Sequence, residues 1–80
     1  MKILKWSYTR HYNIKARFDE FPNSDVIFRQ IKDYYFIYTV AWSNKDSVVE
    51  RRHLEEMEFL LNSELGTIDC YKNRLAFQKA

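Results

Sequence analysis

The side chains that could do chemistry in this 80-residue chain are two histidines, one cysteine and several carboxylates. Metal centres and activated nucleophiles need such groups at characteristic spacings. His11, His53, Asp69 and Cys70 match none of those spacings, so we interpret them as structural or solvent-facing. The chain also lacks paired carboxylates, a nucleophile elbow and a glycine-rich phosphate loop. The sequence therefore predicts a protein that is not an enzyme and that uses no metal or cofactor.

Length and composition predict one small domain. The chain is 46% hydrophobic and 18% aromatic, which favours a packed core, and we assign residues 1–80 to a single domain. One cysteine excludes an internal disulfide framework and favours a reducing compartment. The N-terminal residues lack the apolar stretch of a signal peptide, and no run reaches the roughly 20 apolar residues that span a bilayer. We therefore expect a cytoplasmic protein without a membrane partner.

The chain is organised around residues 34–42, which are apolar or aromatic except for Thr39. Most of them are β-branched or aromatic, the types that fit a pleated surface. Side chains alternate across a strand, so both faces of this strand are apolar. We predict a central strand that is covered twice, or covered once with an aromatic surface left over.

Residues 4–18 alternate between apolar and polar side chains with one break, at Arg10, and a period of two predicts strand. A single strand of about 50 Å would be too long for the domain, so a hairpin is expected. Even positions must pair with even positions, which requires an odd-length loop. The loop is either residues 10–12 or residues 11–13, the latter with Asn13 in the left-handed conformation. One face then carries Leu4, Trp6, Tyr8, Ile14, Ala16 and Phe18, and the other carries Lys5, Ser7, Thr9, Lys15 and Arg17.

Residues 21–25 contain Pro, Asn, Ser and Asp, and this composition predicts a turn. Residues 26–32 fit either a helix capped by Ser24 or Asp25 or a strand with a break in phase. We favour a strand that pairs with residues 34–42 across Lys32 and Asp33, because β-branched and aromatic residues dominate the segment.

An amphipathic helix is expected between residues 47 and 66. Ser47 and Glu50 have capping-box spacing, and Gly66, the only glycine, stands where a C-terminal cap is expected. At about 100° per residue, one apolar stripe is centred on Met57. The stripe consists of Val49, His53, Leu54, Met57, Leu60, Leu61 and Leu65.

The tail, residues 67–77, reads as a second hairpin that turns at Lys72 and Asn73. In this pairing Cys70 lies opposite Leu75 as a small buried apolar residue. Together these elements predict an α+β fold, in which an antiparallel sheet of four to six strands carries one amphipathic helix packed on one face.

For function we predict a small protein–protein binding module, because the chain has more aromatic residues than one small core needs. Its composition is typical of phage or mobile-element accessory proteins, which would inhibit or redirect a host protein. The predicted docking site is an apolar pair, Phe59 and Val48, which fall together off the stripe with Arg52 and Glu55 at the rim. In a homodimer, Arg52 would face Glu55 of the second chain.

The alternative prediction is a nucleic-acid-binding protein. Residues 46–64 have a net charge of −4, so the rest of a chain whose total is +2 carries +6. Lys5, Lys15 and Arg17 would contact phosphates from a basic sheet face, and exposed Tyr or Trp side chains would stack on bases.

Overall fold

The computed structural model describes residues 1–79, with only the backbone described for residues 74–79. The described residues form four strands followed by two helices. The strands are β1 (Ile3–Tyr8), β2 (Ile14–Phe18), β3 (Phe21–Ile31) and β4 (Tyr34–Ala41), and the helices are α1 (Arg51–Leu65) and α2 (Ile68–Lys79). The strands pair antiparallel in the order β1-β2-β3-β4. The predicted α+β fold with an antiparallel sheet of four to six strands is confirmed, and the sheet has four strands.

The first hairpin forms with the predicted parity, since Tyr8 pairs with Ile14 and Trp6 with Ala16. The loop is residues 10–12, because the Thr9 N–H donates to the Asn13 carbonyl at 2.7 Å. The left-handed residue is Tyr12, with φ 61°, so the first of the two predicted loops forms and the second, with Asn13 left-handed, does not.

The turn between β2 and β3 lies at Asp19 and Glu20, which join the paired residues Phe18 and Phe21. Residues 21–25, expected to form a turn, instead belong to β3 as an irregular stretch in which the register shifts. Pro is tolerated at such a point because no ladder hydrogen bond is needed from it.

The favoured strand for residues 26–32 is confirmed: β3 pairs with β4 across Lys32 and Asp33, and Lys32 has φ 52°. A register shift inserts Tyr38 as an extra residue in β4, since Ile27 pairs with Thr39 and the next residue of β3 pairs with Ile37. The insertion reverses which side chains face inward. This strand had been expected to be central. It is not, because β4 forms one edge of the sheet.

The helix α1 packs its stripe against one face of the sheet, here called the inner face. Met57 and Leu61, predicted to be at the centre of the stripe, have no exposed surface. The helix begins later than predicted: Glu50 is the N-cap residue and its N–H donates to His53 Nδ1 at 2.9 Å. Gly66 closes the helix with φ 78°, as predicted for a C-cap. The core against α1 contains Ile14, Ala16, Phe18, Phe21, Val26, Phe28 and Tyr35.

The tail forms the helix α2, so the predicted second hairpin is wrong. Its residues include Lys, Arg, Leu, Ala and Gln, which favour helix, and its would-be turn lacks glycine. Cys70 had been predicted to be buried opposite Leu75 in a pair of strands. Because the tail is a helix, that pair does not form, and Cys70 is exposed.

Candidate functional site

The two edges of the sheet differ in how their backbone groups are satisfied. At the β4 edge, the Asn62 carboxamide accepts the Tyr35 N–H and donates to the Tyr35 carbonyl, both at 2.9 Å. One turn earlier on α1, Glu58 Oε2 accepts the Ile37 N–H at 2.8 Å. Side chains of α1 thus take the place of a neighbouring strand at Tyr35 and Ile37, and these two positions are closed to further pairing.

The β4 closure is supported by α2 and by the residue before it. Tyr71 donates its hydroxyl hydrogen to Glu58 Oε1 at 2.9 Å, and Thr67 Oγ1 donates to Asn62 Oδ1 at 2.8 Å. Tyr71 is buried and lies edge-on to Tyr34, with 6.1 Å between the ring centroids. The orientation of both sealing side chains is therefore fixed by further contacts.

At the β1 edge, no strand among residues 1–79 pairs with the outer side of β1. Residue pairs in an antiparallel ladder alternate between those that exchange hydrogen bonds and those that do not. Because Thr9 and Asn13 form a hydrogen-bonded pair, the pairs Tyr8–Ile14 and Trp6–Ala16 are non-hydrogen-bonded. The N–H and C=O groups of Tyr8 and Trp6 therefore point away from β2. The open edge therefore presents a donor and an acceptor at each of these two residues.

Exposed aromatic side chains surround the same edge. Tyr8 is 58% exposed and Tyr12 is 79% exposed, and Trp6 lies edge-on to Tyr8 at 5.6 Å between centroids. A cleft of about 530 Å³ is lined by Tyr8, Thr9, Tyr12, Gln30 and Tyr35. Burial, together with the neighbouring Tyr8 hydroxyl, raises the pKa of Tyr35. We call this cleft, with Trp6, the aromatic cleft.

A second cavity, a groove, lies along β1 and includes Trp6 in its lining. It has a volume of about 380 Å³ and is lined by Ile3, Leu4, Lys5 and Trp6 of β1 and by Glu64 of α1. Leu4 is 55% exposed, although the sequence pattern had placed it on the inner face. The register shift between Ile3 and Lys5 is the reason, because it puts Ile3 opposite Phe18 in its place.

The predicted basic residues Lys5, Lys15 and Arg17 do share the outer face of the sheet, opposite α1. Lys5 pairs with Arg17 across β1 and β2, and all three line one shallow pocket of about 210 Å³. Arg17 is already engaged, because its Nε lies 2.7 Å from Asp25 Oδ1. The Arg17 hydrogen bond holds the pKa of Asp25 below its usual value. Two lysines are left to carry the positive charge at this end of the face.

The outer face also carries an exposed aromatic side chain. Tyr38 is 55% exposed, and the guanidinium carbon of Arg29 lies 4.5 Å from the centroid of its ring. This contact is of the cation–π type, and Arg29 pairs with Phe36 of β4. The outer face thus combines cations with an aromatic side chain, as the alternative prediction required.

The docking site predicted on α1 is less continuous than the helical wheel indicated. Val48 is 87% exposed but precedes the N-cap, so it is not on the helix. Phe59 lies nine residues after the N-cap Glu50, which is about 13 Å along the helix axis at 1.5 Å per residue. It is 45% exposed, with Lys72 Nζ 5.7 Å from its ring centroid. Arg52 pairs with Glu50 at 2.9 Å, and Glu55 pairs with Arg51 at 3.4 Å. The rim charges are therefore satisfied within the helix.

The histidines do not form a site with the cysteine. His53 is buried and lies edge-on to Phe21, with 5.1 Å between ring centroids, while His11 is exposed in the first loop. Among the described residues, no three His, Cys, Asp or Glu side chains form a group that could hold a metal ion. Neither described helix has the length and apolar character that crossing a bilayer requires.

The sequence interpretation missed the aromatic cleft and the two sealing residues. Trp6 and Tyr8 were placed correctly on the inner face, but α1 does not reach far enough to cover Tyr8. Asn62 was placed outside the apolar stripe, yet it is fully buried. The available signal was the spacing of Asn62, which follows Glu58 by four residues and is next to Leu61. Asn62 and Glu58 therefore lie on the same side of the helix, which faces the β4 edge.

Comparison with known proteins places the chain in a family. The model of the family described as "Uncharacterised protein YuzH" matches residues 2–76. The chain belongs to the YuzH family. No curated protein and no solved structure matches the chain. The family match covers the sheet, α1 and most of α2, and the family description names no activity or partner.

Proposed function

We propose that this YuzH-family chain is a small, non-enzymatic protein-binding module that docks its partner at the aromatic cleft. The observation that supports the proposal is the exposure of Tyr8 and Tyr12 beside Trp6. Tyr and Trp supply a large contact area with few rotatable bonds and are enriched at interface hot spots. The composition supports a narrower version, a phage or mobile-element accessory protein that inhibits or redirects a host protein in the cytoplasm.

A partner-capture experiment with matched variants tests the proposal. The tagged chain is used to capture proteins from its native cells, and recovery is compared between wild type, Tyr8→Ala/Tyr12→Ala and Tyr38→Ala. Tyr38 is a fitting control because it is as exposed as Tyr8 but lies on the outer face. We expect the double variant to lose partners that the control retains. Equal recovery by all three proteins would contradict the proposal.

A second function is supported by the outer face: binding of single-stranded nucleic acid. The specific observation is the Arg29–Tyr38 stack on the same face as Lys5 and Lys15. Aromatic rings that stack on bases and cations that contact phosphates are the usual elements of such surfaces. A gel-shift assay with random single strands tests this function. Replacing a lysine that contacts a phosphate should lower the slope of log affinity against log salt concentration by about 0.7. Absence of any shift at low salt would exclude this function.

A further inference from the structure

We infer that the open edge of β1 accepts an extended segment of another protein as a fifth strand, and that this segment alternates apolar and acidic side chains. The inference rests on the proposed protein-binding function and specifies the chemistry of the partner. Addition of a strand to an exposed sheet edge is a recurrent mode of peptide recognition, in which main-chain hydrogen bonds provide affinity and alternate side chains provide specificity.

The backbone supplies the first part of the argument. Trp6 and Tyr8 direct their N–H and C=O groups outward, whereas at the other edge the N–H and C=O of Tyr35 and the N–H of Ile37 are bonded to α1. Within the described residues, the fold thus caps one edge at two positions with the side chains of Asn62 and Glu58 and leaves the other edge unpaired along a regular stretch of ladder. The register shift near Leu4 limits a regular incoming ladder to residues 5–8.

The inner-face side chains define half of the partner. Trp6 and Tyr8 point to the inner face, where the groove along β1 and the aromatic cleft adjoin them. A strand added at this edge would direct every second side chain into this space. Those side chains must be apolar, because the surfaces they would cover are the exposed ring of Tyr8 and the groove wall of Ile3 and Leu4.

The outer-face charges define the other half of the partner. Lys5 and Ser7 of β1 point to the outer face, and Lys15 pairs with Ser7. Because Ser7 is short, a carboxylate opposite it could reach Lys15, while a second carboxylate would lie opposite Lys5. β1 carries no carboxylate, and Asp25, the one carboxylate that lines the same pocket, is hydrogen-bonded to Arg17 and attracts both lysines as well. The three cations therefore outnumber the acid of this pocket. Acidic side chains at alternate positions therefore complement this face.

The same charges make a second copy of this chain a poorer occupant. Antiparallel pairing of two β1 strands would bring Lys5 and Lys15 of both copies onto one face, with no acidic side chain from β1 between them. Cross-strand partners of like charge are unfavourable. The occupant that fits is therefore a strand from a different, acidic segment.

Peptide titrations followed by NMR test the inference. We use two blocked nine-residue peptides, one alternating valine with glutamate and the other alternating valine with lysine. The glutamate peptide should bind at least ten-fold more tightly, and it should slow hydrogen exchange of the Trp6 and Tyr8 amides more than that of Ser7. Binding should weaken in high salt. Equal affinity of the two peptides, or binding that leaves both amides unprotected, would overturn the inference.

A pair of substitutions separates the backbone from the side chain. Tyr8→Ala removes the ring, and Tyr8→Pro removes the ring together with the outward N–H, at an edge position that tolerates proline. The proline variant should bind the glutamate peptide about ten-fold more weakly than the alanine variant. Lys5→Glu provides a second readout that keeps the β1 backbone intact, and it should reverse the preference between the two peptides.

The outcomes distinguish this inference from the proposed function. If Tyr8→Ala abolishes capture of the cellular partner but neither peptide binds, strand addition is wrong and the aromatic cleft remains the docking surface. If capture survives Tyr8→Ala/Tyr12→Ala, the proposed function itself fails. A wild-type dimer that Tyr8→Pro converts to monomer would identify a second copy as the occupant and overturn the acidic partner.

Discussion

The carboxamide of Asn62 bonds to the backbone of Tyr35 as a neighbouring strand would, accepting its N–H and donating to its carbonyl at 2.9 Å. Asn62 is fully buried, and its Nδ2 also donates to the Glu58 carbonyl at 2.8 Å. A helical side chain thereby completes the hydrogen bonding of one residue of an edge strand without adding a fifth strand. Two predictions about stability and association follow from this pair.

Asn62→Ala should destabilise the fold by about 3 kcal/mol, because it leaves a buried N–H and a buried carbonyl of Tyr35 without partners. Urea unfolding gives the free energy. The matched control is Asn73→Ala, an exposed helical position at which the change should be below about 0.5 kcal/mol. The variant should also associate at high concentration through the β4 edge. Wild-type stability in the variant would mean that Asn62 does not seal the edge.

Leu61→Ala should cost about 2–5 kcal/mol, because Leu61 is fully buried at the centre of the contact between α1 and the sheet. Leu4→Ala serves as the comparison, since Leu4 is 55% exposed and should lose far less. Both values come from denaturant unfolding of the full chain. A loss below about 0.5 kcal/mol for Leu61→Ala would show that the helix stripe contributes nothing to the core.

Acid should unfold the chain through two carboxylates that the fold stabilises in the ionised form. A hydrogen bond from Arg17 lowers the pKa of Asp25. Burial tends to raise the pKa of Asp46, but hydrogen bonds from Ser24 and Asn23 outweigh it and the net pKa is lowered. A depressed folded-state pKa gives stability that is present above the unfolded value of 3.8 and is lost as the pH falls through the folded values.

The measurement is the urea midpoint as a function of pH for wild type and for Asp25→Asn/Asp46→Asn. We expect the wild type to lose stability below about pH 4. The double variant should be less stable at pH 7 and should depend less on pH in that range. Parallel curves for the two proteins would show that other carboxylates control acid unfolding.

Phe59→Asp should leave the fold largely intact, because Phe59 is 45% exposed and outside the core. We expect a loss of about 1 kcal/mol from helix propensity and partial burial. If the aromatic cleft is the docking surface, partner capture and the sedimentation coefficient should match those of the wild type. Loss of capture in this variant would instead place the docking surface on α1, as the sequence pattern first indicated.

The first hairpin and the main helix were predictable because their side-chain periods are nearly continuous, with a single break at Arg10. Alternation over residues 4–18 predicted the pairing of Trp6 with Ala16, and the stripe centred on Met57 predicted the buried side of α1. In both segments the same residues that set the local pattern also form the core, so local and tertiary preferences agree.

The features that were not predictable depend on single-residue insertions or on tertiary contacts. The register shifts at Leu4 and Tyr38 reverse the facing of the residues beyond them, and a one-residue insertion leaves no signature in the composition. The burial of Asn62 depends on the position of the β4 edge, which no helical wheel contains. The residues of the tail fit a short alternation as well as a helical composition. The helix brings Tyr71 against Tyr34, a tertiary contact that the local pattern does not contain.

The order β1-β2-β3-β4 has a consequence for the kinetics of folding. Every strand pairs only with strands adjacent to it in sequence, through a loop at residues 10–12 and turns at residues 19–20 and 32–33. Closing such loops takes on the order of microseconds or less, and sheets with local connectivity fold faster than those with distant pairings. When the full chain folds, the aromatic strands would therefore spend little time exposed before α1 covers them, which limits aggregation of a chain this rich in Tyr and Phe.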